Sequence, residues 1–380
     1  MPYELISGCQ AAAFAAQRAG VDLVAAYPIT PQTAIVETLA NFEARGELGG
    51  EFISVESEYS ALSYCNGAVA AGARVFTATS SHGLAYMHEM IQWCSGARFP
   101  IVMVNVNRTV GAPWVLDPDQ GDSLSQRDTG WMQIYCASAQ EVFDTVLQAF
   151  MLSEELLLPT MVVFDGFYIS HTYEPVDIPD LEKAREFIGP PKFEPQLTPG
   201  AQVNLHGLTK GENQLELVRK RHEDMLKAPE VFANINEKYQ QVFGRSYKTM
   251  ATTIPDGATT AFITAGSTSE TVKWLLPELH GCGLIQLRMF RPFPAEELGR
   301  IVEEYGLKRL IIIDRNCTTG TGGYLAQEAR AALYGIDRRP AIKNLILAGG
   351  IDLTEEMLFK AAKEDPDAGL SELTWGADLI

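Results

Sequence analysis

Val21-Asp-Leu-Val-Ala-Ala-Tyr-Pro-Ile-Thr-Pro-Gln-Thr-Ala-Ile-Val-Glu37 changes its pattern partway along. Val21–Ala26 is a short apolar run that predicts a buried strand. From Gln32 onward the apolar residues Ile35, Leu39 and Phe42 fall at helical spacing. Between the two runs lies Tyr27-Pro-Ile-Thr-Pro31, in which two prolines bracket a threonine where the strand should end. Proline is tolerated in a first helical turn, where its missing N–H is not needed, so Pro31 predicts the helix start and Thr30 its N-cap. A strand running directly into a helix is the repeat unit of a parallel α/β sheet, and such sheets bind ligands outside the carboxyl ends of their strands. By its local chemistry alone, the turn is a well-formed strand-to-helix connection.

The same alternation continues outward. Ser7–Ala19 predicts a small-residue helix closed by Gly20; Glu51–Val55 and Arg74–Thr79 predict strands, and Glu56–Gly72 a helix dense in small residues. Ser80–Gly83 reads as a tight turn before a helix over Leu84–Gly96. Pro100–Val106 is almost continuously apolar, as expected of a strand covered on both faces. Gly111–Thr129 is a long polar loop, and loops of that length are usually functional or poorly ordered. Gln140–Leu157 and Pro159–Phe164 return to helix and strand. Proline-punctuated sequence from 175 predicts a connector, followed by two helices over Glu212–Gly244 divided near Pro229. A second α/β pattern begins near Asp256, with strands over Ala261–Gly266, Gly283–Arg288 and Lys308–Asp314 and a Gly/Thr-rich loop over Arg315–Gly323. The expected organisation is residues 1–174, a connector with helices over 175–255, and 256–380. In the second pattern, strand-glycine-serine-helix could bind an anion, but no dinucleotide or P-loop fingerprint accompanies it, and close packing is the better account.

Thirty basic against 48 acidic residues give a formal charge of −18, which argues against nucleic acid or an anionic membrane as partner. No apolar run reaches the ~20 residues of a membrane helix and no secretory leader is evident, so the expected compartment is the cytoplasm. The six cysteines are scattered without C-x-x-C spacing, which excludes a zinc, ferredoxin-like or thioredoxin motif in the sequence. If electrons move, another chain carries them.

Three chemistry-bearing residues fall at strand ends together with Thr30. Glu58 (or Glu56) sits at a strand-to-helix junction, where a carboxylate either complements the helix dipole or faces a ligand nitrogen. Arg108 follows the most apolar strand and is either a surface residue or a bidentate holder of a carboxylate. His82 lies in the Ser80–Gly83 turn and is either a packing residue or a group that titrates near neutrality. Independent surface residues would not be expected to share one sheet edge.

Tyr27-Pro-Ile-Thr-Pro31, Val55-Glu-Ser-Glu58, Thr77-Ala-Thr-Ser-Ser-His-Gly-Leu84, Asn105-Val-Asn-Arg108, Asp122-Ser-Leu-Ser-Gln-Arg-Asp-Thr-Gly-Trp131, Ser170-His-Thr-Tyr173 and Arg288-Met-Phe-Arg-Pro-Phe293 together resemble the α subunit of 2-oxoacid:ferredoxin oxidoreductases, nearest to the pyruvate type. The resemblance spans essentially the whole sequence. It implies a parallel-sheet domain of the thiamine-diphosphate pyrimidine type followed by a transketolase C-terminal-like domain. It implies oxidative decarboxylation of a 2-oxoacid to acyl-CoA and CO2, with electrons passed to iron–sulfur clusters in partner chains. It further implies a β subunit holding the diphosphate and Mg2+, a γ subunit and ferredoxin-like cluster subunits. By position, Glu58 matches the glutamate on the pyrimidine ring nitrogen, Thr30 the threonine beside the oxo acid, and Arg108 the arginine on the substrate carboxylate. Tyr27 and Pro28 fall beside the cofactor in the same pattern, and His82 beside the substrate, where relatives usually carry glutamine. Branched-chain 2-oxoacids and arylglyoxylates use similar chains. The other classes weighed are a non-catalytic scaffold subunit and a decarboxylase or transketolase needing no electron acceptor.

Overall fold

The computed structural model describes residues 3–200, 202, 205, 207–363 and 373–379. Its elements form two sheets, each covered by helices, and a small ribbon. The first sheet runs, in spatial order, Met289–Arg291, Met132–Cys136, Thr160–Asp165, Val102–Asn107, Val75–Thr79, Leu23–Ala26 and Glu51–Ser54. All its pairings are parallel except that of Met289–Arg291 with Met132–Cys136. The second sheet orders Leu373–Trp375, Ala341–Ile346, Arg309–Asp314, Thr260–Ala265, Cys282–Leu287 and Met250–Thr253, antiparallel only at Met250–Thr253. Tyr3–Ser7 and Tyr173–Asp177 make an antiparallel ribbon.

The helix Gly8–Ala19 forms where the sequence places it. Ser7 caps it in a reciprocal box with Gln10, and Gly20 ends it in the left-handed region at φ 68°. Its alanines let it lie close to the long helix Ala139–Leu156, whose Val142, Phe143, Val146 and Phe150 are fully buried. Truncating one of those phenylalanines to alanine would cost roughly 3–5 kcal/mol through lost burial and a cavity. The central strands Val75–Thr79, Val102–Asn107 and Thr160–Asp165 are buried at every position, which is why their sequences do not alternate.

Several elements differ from the sequence reading. Thr30 is not an N-cap: the helix runs Thr33–Ala44, with Gln32 in the cap position and no side-chain cap. Gln32 instead closes the turn itself, accepting the Ile29 N–H and donating to the Ala78 carbonyl at 2.6 Å, so Thr30 is turned outward. The Thr30–Pro31 peptide is cis. Ser80–Gly83 is not a free turn, since a short helix, Ser81–Tyr86, precedes His88–Gly96. Met132–Cys136, Met289–Arg291 and Met250–Thr253 are strands that the short, weakly patterned sequence did not announce. Met289–Arg291 lies within the segment expected to form the second unit but pairs into the first sheet, while Met250–Thr253 precedes that segment and pairs into the second. Among the described residues, no helix is long and apolar enough to cross a membrane.

Candidate active site

Parallel pairing brings the carboxyl ends of Leu23–Ala26, Glu51–Ser54, Val75–Thr79 and Val102–Asn107 to one edge, and each delivers one sequence-predicted residue. Thr30 leaves the first, Glu58 opens the helix after the second, His82 follows the third and Arg108 the fourth. Arg108 is buried, and its Nη1 donates to the Thr30 carbonyl at 2.6 Å while Nη2 lies 3.1 Å from His82 Nδ1. Tyr27 and Pro28 are exposed in the same turn as Thr30. Of the two candidate carboxylates, Glu56 is exposed and spent on Ser60. Glu58 is buried, and its carboxylate has no protein hydrogen-bond partner among the described residues.

Gly83 shows what lies opposite Glu58. A Cβ on Gly83 would stand 2.6 Å from Glu58 Oε1 and 2.5 Å from Thr79 Oγ1, closer than real contacts allow. The absent side chain is therefore what lets the Glu58 carboxylate and the Thr79 hydroxyl pack against this turn. The Thr79 Oγ1 and Ser80 Oγ hydroxyls are buried there without a partner, a cost of about 1–3 kcal/mol each if nothing binds. A ligand carrying ring nitrogens and an amine, such as an aminopyrimidine, supplies what these groups lack. The residues fit the pyrimidine end of thiamine diphosphate.

The elbow between Val75–Thr79 and the next helix is strained. Ser80 is extended and Ser81 adopts φ 49°, a left-handed conformation uncommon for a residue with a side chain. Asp122 holds it, accepting the Ser81 N–H at 2.9 Å on Oδ2, while the Ser81 hydroxyl donates to the Thr109 carbonyl. The same Oδ2 accepts from Asn105 Nδ2 at 3.0 Å and from the Arg108 N–H at 3.2 Å, and Oδ1 accepts from the Ser123 N–H. Asp122 thus fixes the backbones that carry His82 and Arg108. Burial pushes its carboxyl up to about 7 against these four donors, which favour the ionised form. Burial lowers the Arg108 guanidinium from its ordinary value, and Asp122 opposes that shift.

His82 leaves the site with surplus donors. Its Nδ1 faces Arg108 Nη2 and the Ser81 hydroxyl at 3.2 Å, and its Nε2 faces the Gly111 N–H at 3.2 Å. A neutral imidazole has one acceptor nitrogen, so it can serve Arg108 or Gly111 but not both. Arg108 Nε is in addition buried with no partner. An anionic oxygen pair would satisfy these donors, and a planar carboxylate matches the guanidinium fork.

The sequence reading missed Asp122, Ser81, Thr109 and Trp114. Of the two outcomes expected for the polar loop that holds Asp122 and Trp114, functional or poorly ordered, the anchoring of its buried carboxylate excludes the second at Asp122. The indole of Trp114 lies over the Arg108 guanidinium, 4.7 Å from its centre, and meets the His82 ring edge-on at 5.9 Å. Among the described residues, no cluster of His, Cys, Asp and Glu could hold a metal ion.

Solved structures share this arrangement of two helix-covered sheets. A 2-oxoglutarate:ferredoxin oxidoreductase from Magnetococcus marinus, solved with 2-oxoglutarate, coenzyme A and succinyl-CoA, superposes with a TM-score of 0.73 at 20% identity over 96% of this chain. The match spans 65% of that larger chain. A split-gene transketolase, an inactive β4 tetramer, gives 0.52 at 11% identity, covering 94% of this chain and 92% of the other.

Residues 14–237 match the family described as "Pyruvate flavodoxin/ferredoxin oxidoreductase, thiamine diP-bdg", and 258–358 match "Pyruvate:ferredoxin oxidoreductase core domain II". The chain belongs to the pyruvate flavodoxin/ferredoxin oxidoreductase family. It is 44% identical over 375 residues to ketoisovalerate oxidoreductase subunit VorA of Pyrococcus horikoshii, covering 95% of this chain and 93% of that one. It is 42% identical over 328 residues to pyruvate synthase subunit PorA of Methanocaldococcus jannaschii, covering 83% of each. With the PorA subunit of Methanothermobacter thermautotrophicus it shares 39% over 385 residues, covering 99% and 98%.

Proposed function

We infer that this chain is the α subunit of a thiamine-diphosphate-dependent 2-oxoacid oxidoreductase. It takes part in the reversible oxidative decarboxylation of a 2-oxoacid to acyl-CoA and CO2. Electrons pass to iron–sulfur clusters in partner subunits. The observation that carries this reading is the partnerless Glu58 carboxylate beside Gly83, on the same sheet edge as the donor surplus around Arg108. Thiamine diphosphate, when bound, supplies the electron sink that decarboxylation of a 2-oxoacid requires.

The chain's own residues bind and orient. Glu58 hydrogen-bonds a pyrimidine ring nitrogen and sets the proton position there; Tyr27 and Pro28 flank that ring. Arg108 holds the substrate carboxylate, with Thr30 and His82 beside the oxo group. The half-built cradle is completed by a β subunit that brings the diphosphate and Mg2+, with a γ subunit and cluster-bearing chains completing the complex in the cytoplasm. Similarity to PorA subunits supports pyruvate as the substrate, and the higher identity to VorA subunits supports a branched-chain 2-oxoacid as the second reading. An arylglyoxylate would meet the same groups. A purely structural role would not preserve a buried carboxylate without a partner, since it gains nothing from burial.

The test is Glu58→Gln in the assembled complex. Turnover is expected to fall at least about 1000-fold, with assembly unchanged by size-exclusion chromatography. Retained turnover would remove the assigned role.

A further inference from the structure

The loop after Arg108 spends apolar surface in an unusual place. Val110, Trp114, Val115 and Leu116 are 41–49% exposed within seven residues, beside a buried arginine and a strained serine. The loop is nevertheless fastened. Thr109 Oγ1 donates to the Val115 carbonyl at 2.6 Å and accepts the Val115 N–H at 2.9 Å, and the Gly111 N–H points at His82 Nε2. These bonds bring the indole of Trp114 over the Arg108 guanidinium while leaving about half of it uncovered.

A carboxylate bound in the plane of that guanidinium places the rest of a 2-oxoacid alongside the indole. The side chain begins two bonds from the carboxylate carbon, within reach of a ring that already lies 4.7 Å from the arginine centre. A methyl group would leave most of the indole wet. An isopropyl, isobutyl or phenyl group would cover it and gain roughly 25 cal/mol for each Å² of apolar surface removed from water. A second carboxylate would have to sit against the negative face of the ring.

We propose that Trp114 is the specificity-determining residue of this site, forming the wall against which a large apolar substrate side chain packs. The preferred substrates are then 2-oxoacids with branched aliphatic or aryl side chains, which reverses the order that the likeness to PorA subunits supports and puts pyruvate second, with 2-oxoglutarate well behind. This rests on the assignment of Arg108 as the substrate carboxylate holder.

The experiment uses the assembled complex with wild-type chain, Trp114→Ala and Trp114→Phe. It measures kcat/KM for 2-oxoisovalerate, phenylglyoxylate and pyruvate with CoA and a viologen acceptor. In W114A the ratio of kcat/KM for either large substrate to that for pyruvate is expected to fall about tenfold or more, chiefly through KM, and in W114F to be largely kept. A ratio unchanged in W114A would overturn the proposal, as would a uniform loss caused by a disrupted complex, which would make the loop a subunit contact instead. If the wild-type complex turned over none of the three substrates, the underlying functional reading would fail, and that result is distinct from either outcome for Trp114.

Discussion

At the carboxyl edge of the first sheet, Glu58, Thr79, Ser80 and Arg108 each keep a polar atom without a protein partner among the described residues, whereas at the corresponding edge of the second sheet the chain itself occupies the helix starts and Thr318 Oγ1 is left unpartnered. Asp165 reaches across from the first sheet and accepts both the N–H and the hydroxyl of Ser267, at 2.8 and 2.6 Å, ahead of the helix Thr268–Leu275. Asp314 accepts the Leu325 and Ala326 N–H groups at the start of Tyr324–Ala332, and Asn344 accepts from Gly323. Asp119 accepts the Gly349 N–H. Topologically equivalent positions have thus been put to two uses. One edge spends its helix starts on joining and bracing the fold, and the other leaves buried polar atoms unpaired. The glycine-serine turn of the second sheet, which could have bound an anion, is plugged by Asp165.

The contrast yields opposite mutational signatures. Removing Glu58 as an acid by E58Q should abolish turnover yet leave the unfolding midpoint of the chain within error, because that carboxylate has no hydrogen-bond partner among the described residues. Asp165→Ala should do the reverse. It leaves the buried donors of Gln120 and Asn107 and the half-buried donors of Ser267 without their acceptor and is expected to cost about 3 kcal/mol or more in denaturant unfolding. If E58Q destabilised the chain as much as D165A, the division between the two edges would not hold.

Asp122 sharpens the comparison more gently, because it is a brace placed inside the open edge. Its folded carboxyl, near 7, lies above the roughly 3.9 of an unfolded aspartate, so the folded state holds the extra proton between those values. Its contribution to stability is therefore full below about pH 4 and is lost as pH rises toward 7, with a slope no steeper than about 1.4 kcal/mol per pH unit. Subtracting the unfolding free energy of Asp122→Asn from that of wild type across pH 4–8 should give a curve that falls to about pH 7 and then flattens. A flat difference throughout would show that the four donors hold Asp122 ionised down to low pH.

Much of this was legible beforehand, for identifiable reasons. Period and composition locate the buried parallel strands and the Ser7–Gly20 helix because burial on both faces and a small-residue run closed by glycine write themselves into local sequence. The placement of Thr30, Glu58, His82 and Arg108 on one edge followed from strand ends in a parallel sheet. What local sequence did not show depended on distant partners. The turn into Thr33–Ala44 is set by Gln32 reaching Ala78, 46 residues away, and the edge strand Met289–Arg291 by pairing with Met132–Cys136. Trp114 and Asp122 lie in a polar loop whose order comes from the hydrogen bonds of Thr109 and Asp122 and not from any periodic pattern. The resemblance of motifs carried the chemistry; the hydrogen-bond bookkeeping around Glu58, Gly83 and Arg108 gives that chemistry a physical basis in this chain.

The central claim is that this edge is one half of a cofactor site, completed by another subunit. Isothermal titration of thiamine diphosphate with Mg2+ into this chain alone, into its β partner alone and into the assembled pair tests it directly. Tight binding is expected for the pair, weakened by E58Q, with much weaker binding to either component separately. Binding by the β partner alone that is as tight as the pair's and indifferent to E58Q would contradict it.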